Sequence, residues 1–354
     1  MAVNARSAAQ LVELLESVRS EPYANGFYSL LRRIDALSED RPRIGSSRLP
    51  ADDPVRLAQD PDTAFASSEI AGCELNGGRP PRIYGRAFGL FGPQGALPLH
   101  LSEHARNRIR HHRDASFARF VDLFHHRLIS LFYRAWASAQ PAIQRDRPGQ
   151  DGFARQIDAL FGLAPESLHD RDAFADENKR YFAGHFARQS RDPDSLAAMV
   201  GECFKVPTRL QEFDAAWVTI PSGERSRLGD PATAGLGESS LLGARIFSRQ
   251  GRFKLELGPM PYTSYRQLFP DQPRASALAS IVRLYCGLDL DCSVKLILLA
   301  AEIPSPELGG ERQLGRDFWL GGAGRRQQDG TELHYLITLN TTPGGHSHRE
   351  QTHG

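Results

Sequence analysis

The chain is poor in lysine, in paired cysteines and in long apolar runs, and each absence closes off a class of function. Only four of its 43 basic residues are lysine (Lys179, Lys205, Lys254 and Lys295), the other 39 are arginine, and 42 Asp and Glu cancel them to a formal charge of +1. Such a balance creates no overall field to hold nucleic acid or an anionic membrane. The arginines suit planar, bidentate interface contacts, although a GC-rich coding bias would favour them equally. The four cysteines, Cys73, Cys203, Cys286 and Cys292, form no C-x-x-C pair. With no charged and apolar leader at the start, this predicts a reducing cytoplasm. No run approaches the roughly 18 uninterrupted apolar residues of a membrane helix. The nearest, Phe117 to Trp136, carries Asp122, His125, His126, Arg127 and Arg134.

Catalytic signatures are also missing. Gly89 to Gly95 supplies glycines but lacks the Lys and hydroxyl that end a phosphate-binding loop. Gly237-Glu-Ser-Ser-Leu241 fails at the last position of a nucleophile elbow. The sharpest enzymatic candidate is His100-Leu-Ser-Glu-His104, a literal match to the H-x-x-E-H string of inverted zinc peptidases. There two histidines four apart on one helix face bind zinc and the Glu polarises a water. A zinc metallopeptidase using His100, Glu103 and His104 is therefore the alternative reading. Against it, Pro98 lies just upstream and Ser102 is a good N-cap, so the string is expected to straddle a helix start. The adjacent pairs His111-His112 and His125-His126 sit about 100° apart on a helix and cannot easily share one ion. Asp52-Asp53 reads as a solvated turn before Pro54. No cofactor or metal site is expected.

What is present is a soluble composition, 40% hydrophobic and 24% charged over 354 residues, enough for two or three packed substructures. Residues 1–40 read as a helical arm of two amphipathic helices, marked by Leu11, Leu14, Leu15 and Val18, then by Phe27, Leu30, Leu31, Ile34 and Leu37. Pro42, Pro50, Pro54 and Pro61 then impose an extended path. Strands over 69–75 and 82–88 around Asn76-Gly77-Gly78 predict a hairpin, followed by a glycine-rich loop and a helix to about His112.

The strongest periodic signal predicts a helix over Ser116 to Ser138. Phe117, Phe120, Val121, Phe124, Leu128, Leu131 and Phe132 form one stripe, and Leu123, Ile129, Tyr133 and Trp136 load other faces. A helix apolar on most sides must be buried on most sides, as a core helix or against partner chains. Its stripe residues Phe120, Phe124 and Leu128 are candidate partner contacts.

A boundary is expected near 145, so that 41–145 holds the extended segment, hairpin and long helix, and 146–343 a mixed α+β domain. That domain is predicted to contain helices over 153–163, 196–204 and 276–285. Its strands are expected over 215–220, 243–248, 253–257, 294–300 and 333–339. Residues 344–354 read as a disordered tail. The fold class is α+β, a helical N-terminal half with a hairpin and a strand-rich C-terminal half, in an elongated scaffold.

Three ordered stretches carry a family likeness: Asp40-Arg-Pro-Arg-Ile-Gly45 with Pro54-Val-Arg-Leu57; Phe88-Gly-Leu-Phe-Gly-Pro93 with Leu97-Pro-Leu-His-Leu-Ser-Glu103; and Phe120 through Trp136. Leu257-Gly-Pro259 with Tyr262, and Leu314-Gly315 with Trp319-Leu320, continue it along nearly the whole chain. Together they resemble the TssG (ImpH/VasB) family of type VI secretion baseplate components. His104 departs from the aromatic residue that the pattern leads one to expect. The resemblance implies a non-enzymatic cytoplasmic wedge subunit, docked at the inner membrane only through its partners. Those partners would be two copies of TssF, trimers of TssK and the neighbourhood of a VgrG spike.

A quasi-repeat accompanies this likeness. Strand 82–88 leads to Gly92-Pro93, and strand 253–257 leads to Gly258-Pro259, each followed by apolar residues and a helix start. Ser102 is the expected cap of the first helix, and Ser264 with Gln267 a capping box for the second. Phe91 to Leu99 and Pro259 to Phe269 are thus candidate TssK-docking loops, with Phe91, Leu97 and Leu99, and Met260, Tyr262 and Phe269, as anchors.

Overall fold

The structure, a computed structural model, describes residues 2–75, 80–227, 229–230, 233, 235–238, 240–306, 312–319 and 328–337, with side chains from residue 9 onward. The Asn76-Gly77-Gly78 turn, Leu320, the last two residues of the strand expected to 339, and the tail 344–354 lie outside these residues. Two compact units divide the chain, Met1–Ala154 and Arg155–Gly354.

The first unit contains α1 (Ala2–Ser20), α2 (Phe27–Leu37), β1 (Arg56–Gln59), β2 (Ile70–Glu74), β3 (Arg82–Gly85), α3 (Leu99–His112), α4 (Ser116–Ser138) and α5 (Pro141–Arg145). The division falls in the first turn of α6 (Gly152–Leu160). The hairpin forms as β2 antiparallel to β3, and the expected extended segment contributes β1, parallel to β3, for the order β1-β3-β2. Rather than standing apart as an arm, α1 and α2 bury Leu14, Leu15, Val18, Leu30, Leu31 and Ile34 in one core with Leu57, Ile83, Ile129 and Tyr133. The Glu69 carboxylate accepts from the Phe27 backbone N–H at 2.7 Å, satisfying one of the free amides at the start of α2.

The boundary lies beyond 145 because the polar stretch after α5 is tied back to this core. The guanidinium of Arg147, 3% exposed, donates to the carbonyls of Asp35, Ser38 and Arg41, and so caps the C-terminal end of α2 and its exit loop.

The second unit holds α7 (Asp176–Tyr181), α8 (Ala183–Phe186), α9 (Pro193–Phe204), β4 (Thr208–Gln211), β5 (Ala216–Thr219), β6 (Arg245–Ser248), β7 (Arg252–Met260), α10 (Tyr262–Gln267), α11 (Pro273–Cys286), β8 (Asp291–Leu298) and β9 (His334–Ile337). Strict alternation decides which face of the four-stranded sheet β4-β7-β8-β9 is buried. Phe253, Leu255 and Leu257 of β7 and Cys292, Val294, Leu296 and Leu298 of β8 point into a core with α9 and α11. On the other face Lys254 meets Asp214 at 2.8 Å and Lys295 meets Glu256 at 3.2 Å. Gly258 sits at φ +124°, where an added Cβ would lie 2.3 Å from the Ile297 carbonyl oxygen, so only glycine fits beside β8. The α+β class of the expectation is the one observed.

Candidate functional site

Helix α4 carries the residues of greatest interest, because most of its Phe and Leu side chains lie outside while an aspartate and two histidines share its buried face with Val121, Ile129 and Tyr133. Five of the seven expected stripe residues face outward: Phe120 is 58% exposed, Phe124 52%, Leu128 55%, Leu131 40% and Phe132 45%, with Leu123 beside them at 65%, whereas Val121 is buried and Phe117 half-buried. The expectation of a core helix with this stripe inside the chain is therefore corrected. The inward face is Ala118, Val121, Asp122, His125, His126, Ile129, Ser130, Tyr133 and Ala137.

The reason lies in the edge of the small sheet. The amides of Arg56 and Asp60 pair toward β3, donating to the carbonyls of Pro81 and Gly85. Those of Leu57 and Gln59 point the other way, toward α4. An unpaired buried amide is costly, and helix side chains satisfy these two. Leu57 N–H donates to His126 Nδ1 at 3.2 Å, and Gln59 N–H donates to Asp122 Oδ1 at 3.2 Å. Because His126 Nδ1 accepts, its Nε2 carries the proton and donates to Asp53 Oδ2 at 2.9 Å. Asp53 is thus 3% exposed and bonded, not a solvated turn residue. Burial opposes its charged form, but hydrogen bonds from His126 and Ser47 outweigh this and hold its carboxyl below the usual range.

The second histidine fixes the glycine-rich loop. Leu90 N–H donates to His125 Nε2 at 2.9 Å, so His125 Nδ1–H donates to Asp122 Oδ1 at 3.2 Å. Gln59 completes the seat: its Oε1 accepts from Phe91 N–H at 2.8 Å and its Nε2 donates to the Phe91 carbonyl at 2.7 Å. Gly89, at φ +145°, leaves room for that amide, since a Cβ there would stand 2.1 Å from Gln59 Oε1. The adjacent histidines each bind one amide and one carboxylate, roles that their adjacency in the sequence does not reveal because the amides come from distant segments.

The candidate docking loops turn inward. Phe91 is 2% exposed, in a cluster with Ala105, Ala118 and Val121 against which Leu97 packs, and only Leu99 of that set is open, at 51%. In the second loop Met260 (0%) and Phe269 (6%) belong to the core, and Tyr262, half-buried, donates from its hydroxyl to Asp317 Oδ2 at 2.9 Å. Phe91, Met260 and Phe269 are thus internal packing residues, not projecting anchors. The expected caps are corrected too. Helices α3 and α10 start directly after Pro98 and Pro261 without a side-chain cap, and buried Ser102 instead accepts from Gly92 N–H at 3.1 Å.

The zinc-peptidase string lies wholly within α3, with His100, Glu103 and His104 exposed. His104 stacks edge-on against Phe117, centroids 6.1 Å apart. Among the described residues no three His, Cys, Asp or Glu side chains converge to hold a metal ion. In the second unit Lys179, 1% exposed, lies 2.7 Å from Asp176 and 3.0 Å from Asp172, a satisfied internal ion cluster. Among the described residues no helix is long and apolar enough to cross a membrane.

The candidate site is a surface: an aromatic and aliphatic helix face above a buried polar network. Comparison with known proteins agrees with this architecture. A solved structure of the baseplate complex from the type VI secretion system contains a chain 22% identical, with a TM-score of 0.65, matching 97% of this chain and 98% of that one. A chain in the TssK-TssF-TssG baseplate subcomplex, determined by cryo-electron microscopy, is 18% identical with a TM-score of 0.53, matching 66% of this chain and 98% of that one. No curated protein matches. The family model for type VI secretion TssG matches residues 21–321, and the chain belongs to that family.

Proposed function

We propose that the chain is a structural, non-catalytic subunit of a type VI secretion baseplate wedge, bridging TssF and TssK as a contractile injection machine assembles. One observation carries this reading: α4 presents Phe120, Phe124, Leu128 and Leu131 to solvent while Asp122, His125, His126 and Ser130 are spent inside. A contiguous exposed apolar face of this kind marks a protein interface. Family membership and the fold shared with chains of TssK-TssF-TssG and baseplate assemblies support the choice of partners. In this reading two copies of TssF and trimers of TssK gather on the chain near the VgrG spike. The assembly sits in the cytoplasm and meets the inner membrane through those partners. Phe120, Phe124 and Leu128 form the contact face, and Leu99 is a further exposed apolar residue of the same unit.

Co-expression with TssF and TssK, purification on a tag carried by this chain, and native mass measurement test the proposal. The expected result is one complex containing all three proteins with two TssF per chain. Recovery of this chain alone, with TssF and TssK expressed and soluble, would overturn it.

A further inference from the structure

The exposed charges that α4 itself carries are all of one sign. Asp122 is the only acidic residue of the helix, and it is buried. The exposed charges along the stripe are Arg119, Arg127 and Arg134. Arg119 meets Glu74 at 3.6 Å, whereas Arg127 reaches only the Gly45 carbonyl at 3.4 Å. Among the described contacts neither Arg127 nor Arg134 meets a carboxylate. The stripe also continues beyond Leu131. Phe132 packs on Phe88 with centroids 4.7 Å apart, and Trp136 packs on Tyr28 at 4.3 Å. There it opens into a groove of about 590 Å³ bordered by Tyr28, Trp136 and Arg33, where Asp146 is already taken by Arg32 at 2.6 Å. From Phe120 to Trp136 the track is about 24 Å long at 1.5 Å per residue.

From this geometry we infer that the α4 face receives an acidic amphipathic α-helix of about four turns from a baseplate partner. Its apolar residues at three- and four-residue spacing lie along Phe120, Phe124, Leu128 and Leu131, and its Asp or Glu flanks meet Arg127, Arg134 and Arg33. The inference rests on the baseplate reading and specifies the chemistry of the occupant. A ridge of i, i+4 and i+8 side chains takes the groove of another helix. Arginines beside a desolvated apolar stripe favour a carboxylate-bearing partner and disfavour a basic one, including a second copy of this same face.

The test uses the co-expressed complex with TssF and TssK. A photo-crosslinking p-benzoylphenylalanine replaces Phe124 or Leu131, and crosslinked peptides are identified by mass spectrometry. The expected products map to one segment of TssF or TssK with helical apolar spacing and acidic flanks. Arg127→Glu with Arg134→Glu should lower complex recovery at least tenfold, and charge reversal of the crosslinked acidic residues should restore it. Crosslinks to a non-acidic or non-helical segment, crosslinks to another copy of this chain, or undiminished recovery with the double variant would each overturn the inference and leave the baseplate reading intact. So would flotation of the purified chain with phosphatidylcholine and phosphatidylserine vesicles that is lost on Phe124→Asp, which assigns the face to a lipid surface. Failure of the unmodified proteins to form any complex overturns both.

Discussion

Helix α4 of the first unit and strands β7 and β8 of the second solve the same problem in opposite ways. Both strands bury every second residue, Phe253, Leu255 and Leu257 in one and Val294, Leu296 and Leu298 in the other, and leave their charged residues on the far face. There apolar means inside. In α4 Phe120, Leu123, Phe124, Leu128, Leu131 and Phe132 point outward, and Asp122, His125, His126 and Ser130 are buried beside Ile129 and Tyr133. The difference lies in what each element must satisfy. β7 has its backbone groups paired on both sides, by β4 and β8, so only side-chain burial is left to decide orientation. β1 has a sheet neighbour on one side only, and the helix that covers its other edge must bring acceptors. A helix can thus be oriented by hydrogen bonds to backbone, leaving an apolar stripe exposed.

The contrast can be tested from its most costly element downward. Leu255→Ala, at a position with no exposure, is expected to destabilise the chain by about 2 to 5 kcal/mol through lost burial and a cavity. Thermal or urea unfolding measures this. His126→Ala leaves the Leu57 amide without its acceptor and the Asp53 carboxylate without its imidazole donor, for an expected loss of about 1 to 3 kcal/mol. A stability equal to the unmodified chain would mean that these bonds do not seat α4.

Acid should weaken the same contact. The Asp53 carboxyl lies below its ordinary value in the folded chain, so its contribution is fully present above the unfolded value of about 3.9 and is lost as pH falls through the folded one. The urea midpoints of the chain and of Asp53→Asn should therefore differ at about pH 6 and draw together as pH falls below the unfolded value of about 3.9 and through the folded one. A gap that widens in acid would contradict the assignment.

The smallest effect is expected on the outer face. Phe124→Ala, at a half-exposed position, should change the stability of the isolated chain by less than about 1 kcal/mol while lowering recovery of the complex. A loss of about 3 to 5 kcal/mol in the isolated chain would show the stripe to be buried after all.

Much of the fold is legible in the residues because local periodicity and local chemistry carry it. Ser116–Ser138 is a helix with the bounds read from its pattern, β2 and β3 form the expected hairpin pair, and β5 to β9 overlap the expected runs. The short elements escape notice for a reason. Strand β4 (Thr208–Gln211) and helices α7 and α8 have four to six residues each, too few for a period to declare itself. The two candidate loops show a different limit. Both contain Gly, Pro and apolar residues, a composition shared by a projecting anchor and by a turn folded under its own helix. Only the bonds of Gln59 to Phe91, and the packing of Met260 and Phe269 into the core, decide for the turn.

By itself the sequence determined the α+β class, the position and length of α4 and, through its ordered motifs, the family. Tertiary structure alone decided which side of α4 faces out. The amides of Leu57 and Gln59 lie 63 to 69 residues away from the side chains that receive them. No local pattern on the helix records that those side chains are needed inside, because a hydrogen bond to distant backbone adds no apolar residue and leaves no period in the sequence.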